Sequence, residues 1–169
     1  KPVKPGEVGE LIVRGAHVMK GYWGKPDDTK TKLAPMPAFG EVGGMDPVLH
    51  TADLFRVDED GYLYFVSRKD DIIKAKGEKV SPREVEDVLH QIDGVAEAAV
   101  IGVSDPIFGE AVKAVLVLKE GAKLDQRKVQ LHCSRNLEDY MVPTIVEFRE
   151  AMPKNDNGKI DKRALAGRD

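Results

Sequence analysis

The sequence predicts an α+β protein, in which a small β-rich segment precedes a compact α+β domain with a three-stranded sheet and flanking helices. Up to about residue 66, apolar residues occur in short runs of strand length, and Gly- and Pro-rich turns separate the runs. From Ser81 onward, two amphipathic helical stretches alternate with apolar runs of strand length. The pattern of predicted elements changes near residues 67–71, so a domain boundary is predicted there.

The β-rich segment begins with GELIVRG, whose alternation predicts a strand. The following GYWGKPDDTK predicts a loop, and the many breakers in residues 34–48 predict an irregular connection. HTADLFRVDEDGYLYFVSR predicts two strands joined by a hairpin turn at Asp60-Gly61. DDIIKAKGEKV predicts one further short strand that ends at Gly77.

The second part opens with a helix-start signal, because Ser81 can serve as an N-cap, Pro82 suits the first helical position and Glu84 follows. EAAVIGVSD and AVKAVLVLKEG predict two strands, and TIVEFRE predicts a last one. Between them, DQRKVQLHCSRNL predicts a second amphipathic helix with Asp125 as its cap. The turn-prone stretch PKNDNGKID near the end contains Lys159.

Composition excludes several classes of protein. The net charge of −3 over 169 residues argues against a nucleic-acid-binding domain that depends on bulk positive charge, so no nucleic-acid partner is expected. No apolar run approaches the ~20 residues of a membrane helix, so no membrane span is expected. The single cysteine, Cys133, excludes an internal disulfide and fits a reduced cytoplasmic location. His50, His90 and Cys133 lack metal-ligand spacing, and no metal site is predicted.

The chain starts without a methionine and without the apolar core of a signal peptide, so we expect a piece of a longer protein. Six segments then carry a resemblance in order along nearly the whole chain. They are GEVGELIVRG with VMKGYW, HTADL, SRKDDIIKAKGEKVSPREVEDVL, DPIFGEAVKAVLVL, YMVP and PKNDNGKIDKRAL. The chain resembles the C-terminal region of the adenylate-forming enzymes, which include acyl-CoA synthetases, peptide-synthetase adenylation domains and luciferase.

This resemblance implies a two-step reaction. A carboxylate attacks the α-phosphate of ATP to give acyl-AMP and pyrophosphate, and a thiol then takes the acyl group while the small C-terminal domain rotates between the steps. Residues 1–69 would be the C-terminal end of the large adenylation domain, a β-barrel-like subdomain, and residues 70–169 the mobile C-terminal domain. The phosphate loop of the family has no counterpart in the chain. The machinery is therefore expected to be partial, and the fragment alone to be inactive.

The resemblance also assigns site residues in the first half of the chain. Asp53 matches the aspartate that binds the ribose hydroxyls, which a carboxylate can accept together. Arg68 matches the arginine that approaches the nucleotide, and its planar fork suits hydroxyl and phosphate oxygens. Asp70 matches the hinge position. The family usually has Gly where this chain has Ala52, and Gly where it has Ser67. Without the resemblance, Asp53, Arg68 and Asp70 would be interpreted as ordinary surface charges.

In the second domain, residues 70–169, Gly77 matches the glycine of the loop that lines the pantetheine tunnel of CoA, with its neighbours Lys76 and Glu78. The alternative interpretation of KAKGEK is a turn with solvated lysines, and a basic nucleic-acid loop is disfavoured because aromatic residues are missing. Lys159 matches the catalytic lysine that reaches the acyl carboxylate and the α-phosphate, where a long, flexible cation can follow moving charge. Glu84 and Glu86 are explained by a helix cap and a solvated helix face.

The resemblance therefore implies an acyl-CoA synthetase, a ligase that would use a carboxylic acid, ATP, Mg²⁺ and CoA in the full-length enzyme. Its N-terminal domain would be the partner of this region, and no cofactor is expected to bind tightly to the fragment. Two alternatives remain open. The acceptor could be a carrier protein, or the domain could have lost catalysis and serve only to dock a partner.

Overall fold

The computed structural model describes residues 2–37 and 45–167, and the chain divides into two compact units, Lys1–Asp70 and Asp71–Asp169. We refer to them as the N-terminal and the C-terminal unit. None of the helices in the described ranges combines the length and the apolar character that crossing a membrane requires.

The N-terminal unit contains, in its described residues, a four-stranded antiparallel sheet and one helix. Strand β3 is the long central strand: β1 pairs along one of its sides, and β2 and β4 follow each other along the other side. The bounds are β1 Val8–Val13, α1 Pro26–Lys32, β2 Leu33–Pro37, β3 Met45–Val57 and β4 Leu63–Arg68.

Two predictions for this unit were wrong. Helix α1 replaces part of the expected loop, because Pro26 fits the first helical turn and Asp27 and Asp28 favour a helix N-terminus. Strand β2 and the start of β3 replace the described parts of the expected irregular connection, while residues 38–44 lie outside the described residues. Within the described ranges, strand β2 pairs with β3 alone, and such an edge strand tolerates proline. The first strand and the β3–β4 hairpin are confirmed.

The C-terminal unit is built on a mixed sheet, which has five strands within the described residues. Strand β8 is central: β7 pairs antiparallel along one side, and β5 and β9 pair parallel along the other. The strands are β5 Ile73–Ala75, β6 Glu78–Val80, β7 Val95–Asp105, β8 Gly109–Leu118 and β9 Ile145–Arg149. The helices are α2 Pro82–Leu89, α3 Gln126–Asn136 and α4 Lys162–Leu165.

The α+β class is confirmed, but the sheet of this unit has five strands in the described part of the chain where three were expected. The run around Gly77 was predicted as one strand and forms the β5–β6 hairpin instead. Lys76 and Gly77 both have positive φ, at 52° and 85°, which is the type I′ geometry of a two-residue hairpin turn. Strand β5 then adds to β8 through the pair Ala75 and Glu110.

Apolar residues cover both faces of this sheet. Helices α2 and α3 pack on one face through residues such as Val85, Leu89 and Val129, all fully buried. On the other face, Ala99, Ile101 and Val115 pack against Met152 and Leu165 from the C-terminal tail. The predicted cap of α3 is confirmed, since the Asp125 carboxylate accepts a hydrogen bond from the Lys128 amide at 2.8 Å. The tail is therefore anchored in the core by its apolar side chains.

Candidate functional site

Asp53 and Arg68 face each other across the β3–β4 ladder. One guanidinium nitrogen of Arg68 lies 3.5 Å from the Asp53 Oδ1. The Asp53 side chain keeps 31% of its exposure and Arg68 keeps 48%, so solvent or a ligand can reach both. The carboxylate can accept two hydroxyl hydrogens, and the guanidinium can donate to hydroxyl or phosphate oxygens. The two residues that were assigned to the nucleotide are thus brought together.

The segment Thr51-Ala52-Asp53 bulges out of the β1–β3 ladder, and this geometry aims Asp53. Ala52 is buried and has φ of 62°, a left-handed conformation in which glycine is ordinarily favoured. The Ala52 amide donates to Glu10 Oε1 at 3.2 Å, and the Thr51 hydroxyl donates to the Leu11 carbonyl at 2.7 Å. The Asp53 amide donates back to the Thr51 hydroxyl at 3.1 Å. The bulge is therefore fixed to β1 at Thr51 and at Ala52.

Glu10 is a residue that sequence reasoning missed, although it lies in the GEVGELIVRG match. Its carboxylate also lies 3.2 Å from Lys69 Nζ and 3.5 Å from His50 Nδ1. Burial acts to raise the pKa of Glu10, but the hydrogen bonds from Lys69 and the Ala52 amide and the nearby charges outweigh it, so the pKa lies below its usual value. The group borders a cavity of about 380 Å³, lined by Glu10, Thr31, Lys32, His50, Ala52, Lys69 and Asp70.

Asp70 lies in the short 3-10 turn Lys69–Asp71, and its side chain is exposed. The N-terminal unit ends at this residue, and the C-terminal unit begins with Asp71. A residue in such a short connection can absorb a change of backbone angles. The role of Asp70 as a hinge stays a prediction.

The β5–β6 turn presents Gly77 to solvent. An added Cβ at Gly77 would meet no atom within 4 Å, so the space beside the glycine is open. Its neighbour Lys76 places Nζ 2.6 Å from the Asp139 Oδ2, in the 3-10 turn Asp139–Met141 that follows α3. Glu78 is exposed at the start of β6. The backbone of this turn is thus accessible, and the neighbouring Lys76 already forms an ion pair with Asp139.

Lys159 belongs to a tight hairpin, residues 154–160, which we call the tail hairpin. Lys154 and Ile160 form its antiparallel base. Inside it, the Asn155 side-chain oxygen accepts from the amides of Asn157 and Lys159, and Gly158 turns the chain with φ of 75°. These bonds hold the backbone of Lys159, whereas its side chain is exposed. Among the ion pairs of the described residues, none involves Lys159.

Two ion pairs flank the tail hairpin. Before it, Lys154 Nζ lies 3.0 Å from Glu97 Oε1 of β7. After it, Lys162 Nζ lies 2.7 Å from Glu86 Oε1 of α2, and the same oxygen accepts the Val100 amide at 2.7 Å. The expectation that Glu86 lies on a solvated helix face was therefore wrong, because only 17% of its side chain is exposed. No signal in the local sequence could have shown this, since the partners are distant in the chain.

The tail hairpin and the Gly77 turn lie on different sides of β8. The order of the sheet is β6, β5, β8, β7, with the Gly77 turn at the β6 end, while the tail hairpin reaches β7 through Lys154.

Elsewhere, burial raises the pKa of the Cys133 thiol to about 11, so this cysteine stays protonated at neutral pH and is a core residue. In the described ranges, no cluster of three His, Cys, Asp or Glu side chains could hold a metal ion.

A family model described as the AMP-binding enzyme C-terminal domain matches residues 84–159, which include the β7–β8 pair, α3, β9 and Lys159. Residues 84–159 therefore match the C-terminal domain of the adenylate-forming enzymes. The resemblance drawn from the six sequence segments is thereby confirmed. The matched residues belong to the C-terminal region of this superfamily, as the order of the segments implied.

Relatives within the superfamily extend well beyond this chain. A long-chain-fatty-acid–CoA ligase of Bacillus subtilis is 43% identical over 161 residues, which are 95% of this chain and 27% of the relative. The chain thus spans about a quarter of the length of the curated relatives it matches. ATP-bound MatB from Rhodopseudomonas palustris has a TM-score of 0.83 at 34% identity, over 98% of this chain and 31% of MatB. The amide bond synthetase McbA from Marinactinospora thermotolerans has a TM-score of 0.82 at 36% identity, over 99% and 32%.

Proposed function

We propose that the chain is the C-terminal part of an ATP-dependent acid–thiol ligase, which activates a carboxylic acid as acyl-AMP and transfers the acyl group to CoA. The observation that carries this proposal is the tail hairpin, which fixes the backbone of Lys159 and leaves its ammonium group exposed. Residues 1–69 would then be the end of the large adenylation domain, and residues 70–169 the mobile C-terminal domain. The protein would work in the cytoplasm.

In the adenylation step, Lys159 would stabilise negative charge on the acyl carboxylate and the α-phosphate as they react. A primary ammonium on a flexible stem suits this role because it can follow charge that moves between oxygen atoms. Asp53 and Arg68 would bind the nucleotide, with the carboxylate on the ribose hydroxyls. ATP would bring Mg²⁺, and the large domain would supply the phosphate loop and the acid pocket. The 169-residue chain by itself should catalyse neither step and bind no cofactor tightly.

In the thiol-transfer step, the turn of Lys76, Gly77 and Glu78 would line the passage for the pantetheine arm of CoA, after a rotation about Asp70. The open space beside Gly77 supports this assignment, since a thin chain can pass close to a backbone without side chains. The position of this turn on the other side of β8 from the tail hairpin also supports it, because each step would need a different part of the domain.

Two alternatives are outcomes of the tests. McbA, a structural neighbour, is described as an amide bond synthetase, so an amine is an alternative acceptor, as is the thiol of a carrier protein. A complete gene product that shows no ATP–pyrophosphate exchange with any acid of a broad panel would indicate a docking module instead of a ligase. Exchange with one acid and product formation with CoA would support the proposal.

The sharpest test replaces Lys159 with Ala in the complete protein. We expect the rate of acyl-AMP formation to fall by about 10²-fold or more, because a cation at the reacting phosphate is lost. Thiolysis of supplied acyl-AMP should change far less. Lys123→Ala removes another exposed lysine, from the loop between β8 and α3, and serves as the control. An equal loss in both half-reactions would contradict the assignment.

The second arm replaces Gly77 with Leu, which should spare pyrophosphate exchange and block thioester formation. Gly121→Leu is the matched control, since Gly121 has φ of 76° and Gly77 has φ of 85°, both with open space beside them. The backbone strain is thus similar in the two variants, and only the position differs. Thioester output that is unchanged in Gly77→Leu, or lost equally in Gly121→Leu, would refute the role of the turn.

A further inference from the structure

The tail carries three lysines within nine residues, and these lysines differ in their ion pairs. Lys154 and Lys162 each form an ion pair with a glutamate of the sheet and helix layers. Lys159, between them, has an exposed side chain and, among the described residues, no ion pair. The two outer lysines are thus held in place, and the middle one is available to a ligand.

Of the two glutamate partners, Glu86 makes more contacts and is less exposed. Its Oε1 accepts from the Val100 amide of β7 and from Lys162 Nζ, both at 2.7 Å, so one atom joins α2, β7 and the start of α4. Glu97 makes a single contact with Lys154, and its side chain is twice as exposed, at 35% against 17% for Glu86. The placement of Lys162 therefore depends on a fixed carboxylate.

The ion pairs contribute orientation more than stability. Met152 and Leu165 already bury the tail against the sheet, and partly exposed ion pairs add little to the free energy of unfolding. Lys162 lies three residues from Lys159, a span of at most about 11 Å. The intervening Asp161 is itself fixed, because its amide donates to the Pro153 carbonyl at 2.8 Å. A constraint on Lys162 is therefore transmitted to the base of the tail hairpin.

We propose that Glu86 is a positioning residue for the acid-activating step, which acts through Lys162 to hold the tail hairpin and hence Lys159. By engaging Lys162, Glu86 also keeps a second cation from competing for the anionic ligand that Lys159 would bind. This inference rests on the proposed function. Small displacements of a reacting group can lower a rate by about 10²-fold, so a loosened hairpin should cost activity without unfolding the domain.

The test uses Glu86→Gln and Lys162→Gln in the complete protein. A glutamine at residue 86 keeps an oxygen that can accept the Val100 amide but loses the attraction for Lys162. We expect each variant to lower kcat of acyl-AMP formation about tenfold with a smaller change in the KM for ATP. Thiolysis of supplied acyl-AMP should change less than about twofold. The double variant should be no slower than either single one, because both remove the same contact.

Glu84→Gln is the matched control, since it removes the same charge from an exposed position of the same helix. The inference is overturned if Glu86→Gln slows both half-reactions equally, if it behaves like Glu84→Gln, or if the two single effects add. Lys159→Ala distinguishes a failure of the proposed function from a failure of the positioning role of Glu86. Should that variant keep its adenylation rate, the proposed function itself fails. If only Glu86→Gln and Lys162→Gln leave adenylation unchanged, the positioning role alone fails.

Discussion

At the scale of single residues, Ala52 shows how the backbone orients Asp53, the residue proposed to bind the ribose. A left-handed conformation at a buried alanine is held by the Glu10 carboxylate, and Asp53 follows immediately. Non-glycine residues adopt this conformation only when their surroundings impose it, and such strain is concentrated at functional sites. A glycine, which the resemblance leads us to expect at this position, would adopt the same conformation without strain.

We predict that Ala52→Val destabilises the protein by about 2 kcal/mol or more, because a β-branched side chain is strongly disfavoured at positive φ and the site is buried. Ala52→Gly should change the free energy of unfolding by less than about 1 kcal/mol, since relief of strain offsets the greater backbone entropy of the unfolded chain. Urea denaturation of the two variants measures this. Equal stability of the Val and Gly variants would show that the left-handed backbone is not required.

At the scale of elements, local signals found the two longer helices and the longer strands of the C-terminal unit but not its full sheet. Capping residues at Ser81 and Asp125 and strand-length apolar runs suffice to predict α2, α3, β7 and β8. The β5–β6 hairpin could not be predicted in this way, because Lys76 is not a residue type that marks a type I′ turn. Tertiary pairing with β8 overrides the weak local preference there.

The residues of the candidate site also divide into those that the sequence reveals and those that only the structure reveals. The residues that are proposed to face the ligand, such as Asp53 and Lys159, lie in motifs and could be assigned from the sequence by resemblance. Their supporting residues could not, because Glu10 and Glu86 act on partners 42 and 14 residues away in the chain. Periodicity shows which face of an element a residue occupies, but it does not show which side chain from another element meets it.

Strand β9 gives a prediction about pH. The Glu147 carboxylate contacts Lys113 of β8 at 2.6 Å and also Arg149. The hydrogen bonds from Lys113 and Arg149 lower the pKa of Glu147 below its ordinary 4.5. Because the folded-state pKa is the lower one, the contribution to stability is present above pH 4.5 and is lost as the pH falls through the folded-state value.

Glu147→Gln should therefore lower the free energy of unfolding at neutral pH by less than about 1 kcal/mol, and this difference should vanish as the pH falls below 4.5 and through the folded-state pKa. Denaturant titrations of both proteins across this range provide the measurement. Glu120→Gln, at an exposed loop position, controls for the change in net charge. A difference from the wild type that grows as the pH falls would have the wrong sign for this mechanism.

At the scale of the whole molecule, the two units differ in how much apolar surface they bury. Among the described apolar residues of the N-terminal unit, only Val48 and Ala52 are buried, while Tyr62 and the β4 residues Leu63, Tyr64 and Phe65 are exposed. The C-terminal unit buries side chains on both faces of its sheet. Burial of apolar area is the main favourable contribution to folding, so the two units should differ greatly in intrinsic stability.

We predict that residues 71–169, produced alone, unfold in one cooperative urea transition, and that residues 1–70 alone show none. Within the 71–169 fragment, Leu89→Ala should lower the free energy of unfolding by about 2–5 kcal/mol, because Leu89 of α2 is fully buried against the sheet. Leu131→Ala, at a half-exposed position of α3, should cost far less and serves as the control. Far-UV circular dichroism at increasing urea concentration measures all four proteins. A cooperative transition in 1–70 would mean that its sheet is stable without covering its exposed apolar strand, and the argument from buried area would then be wrong.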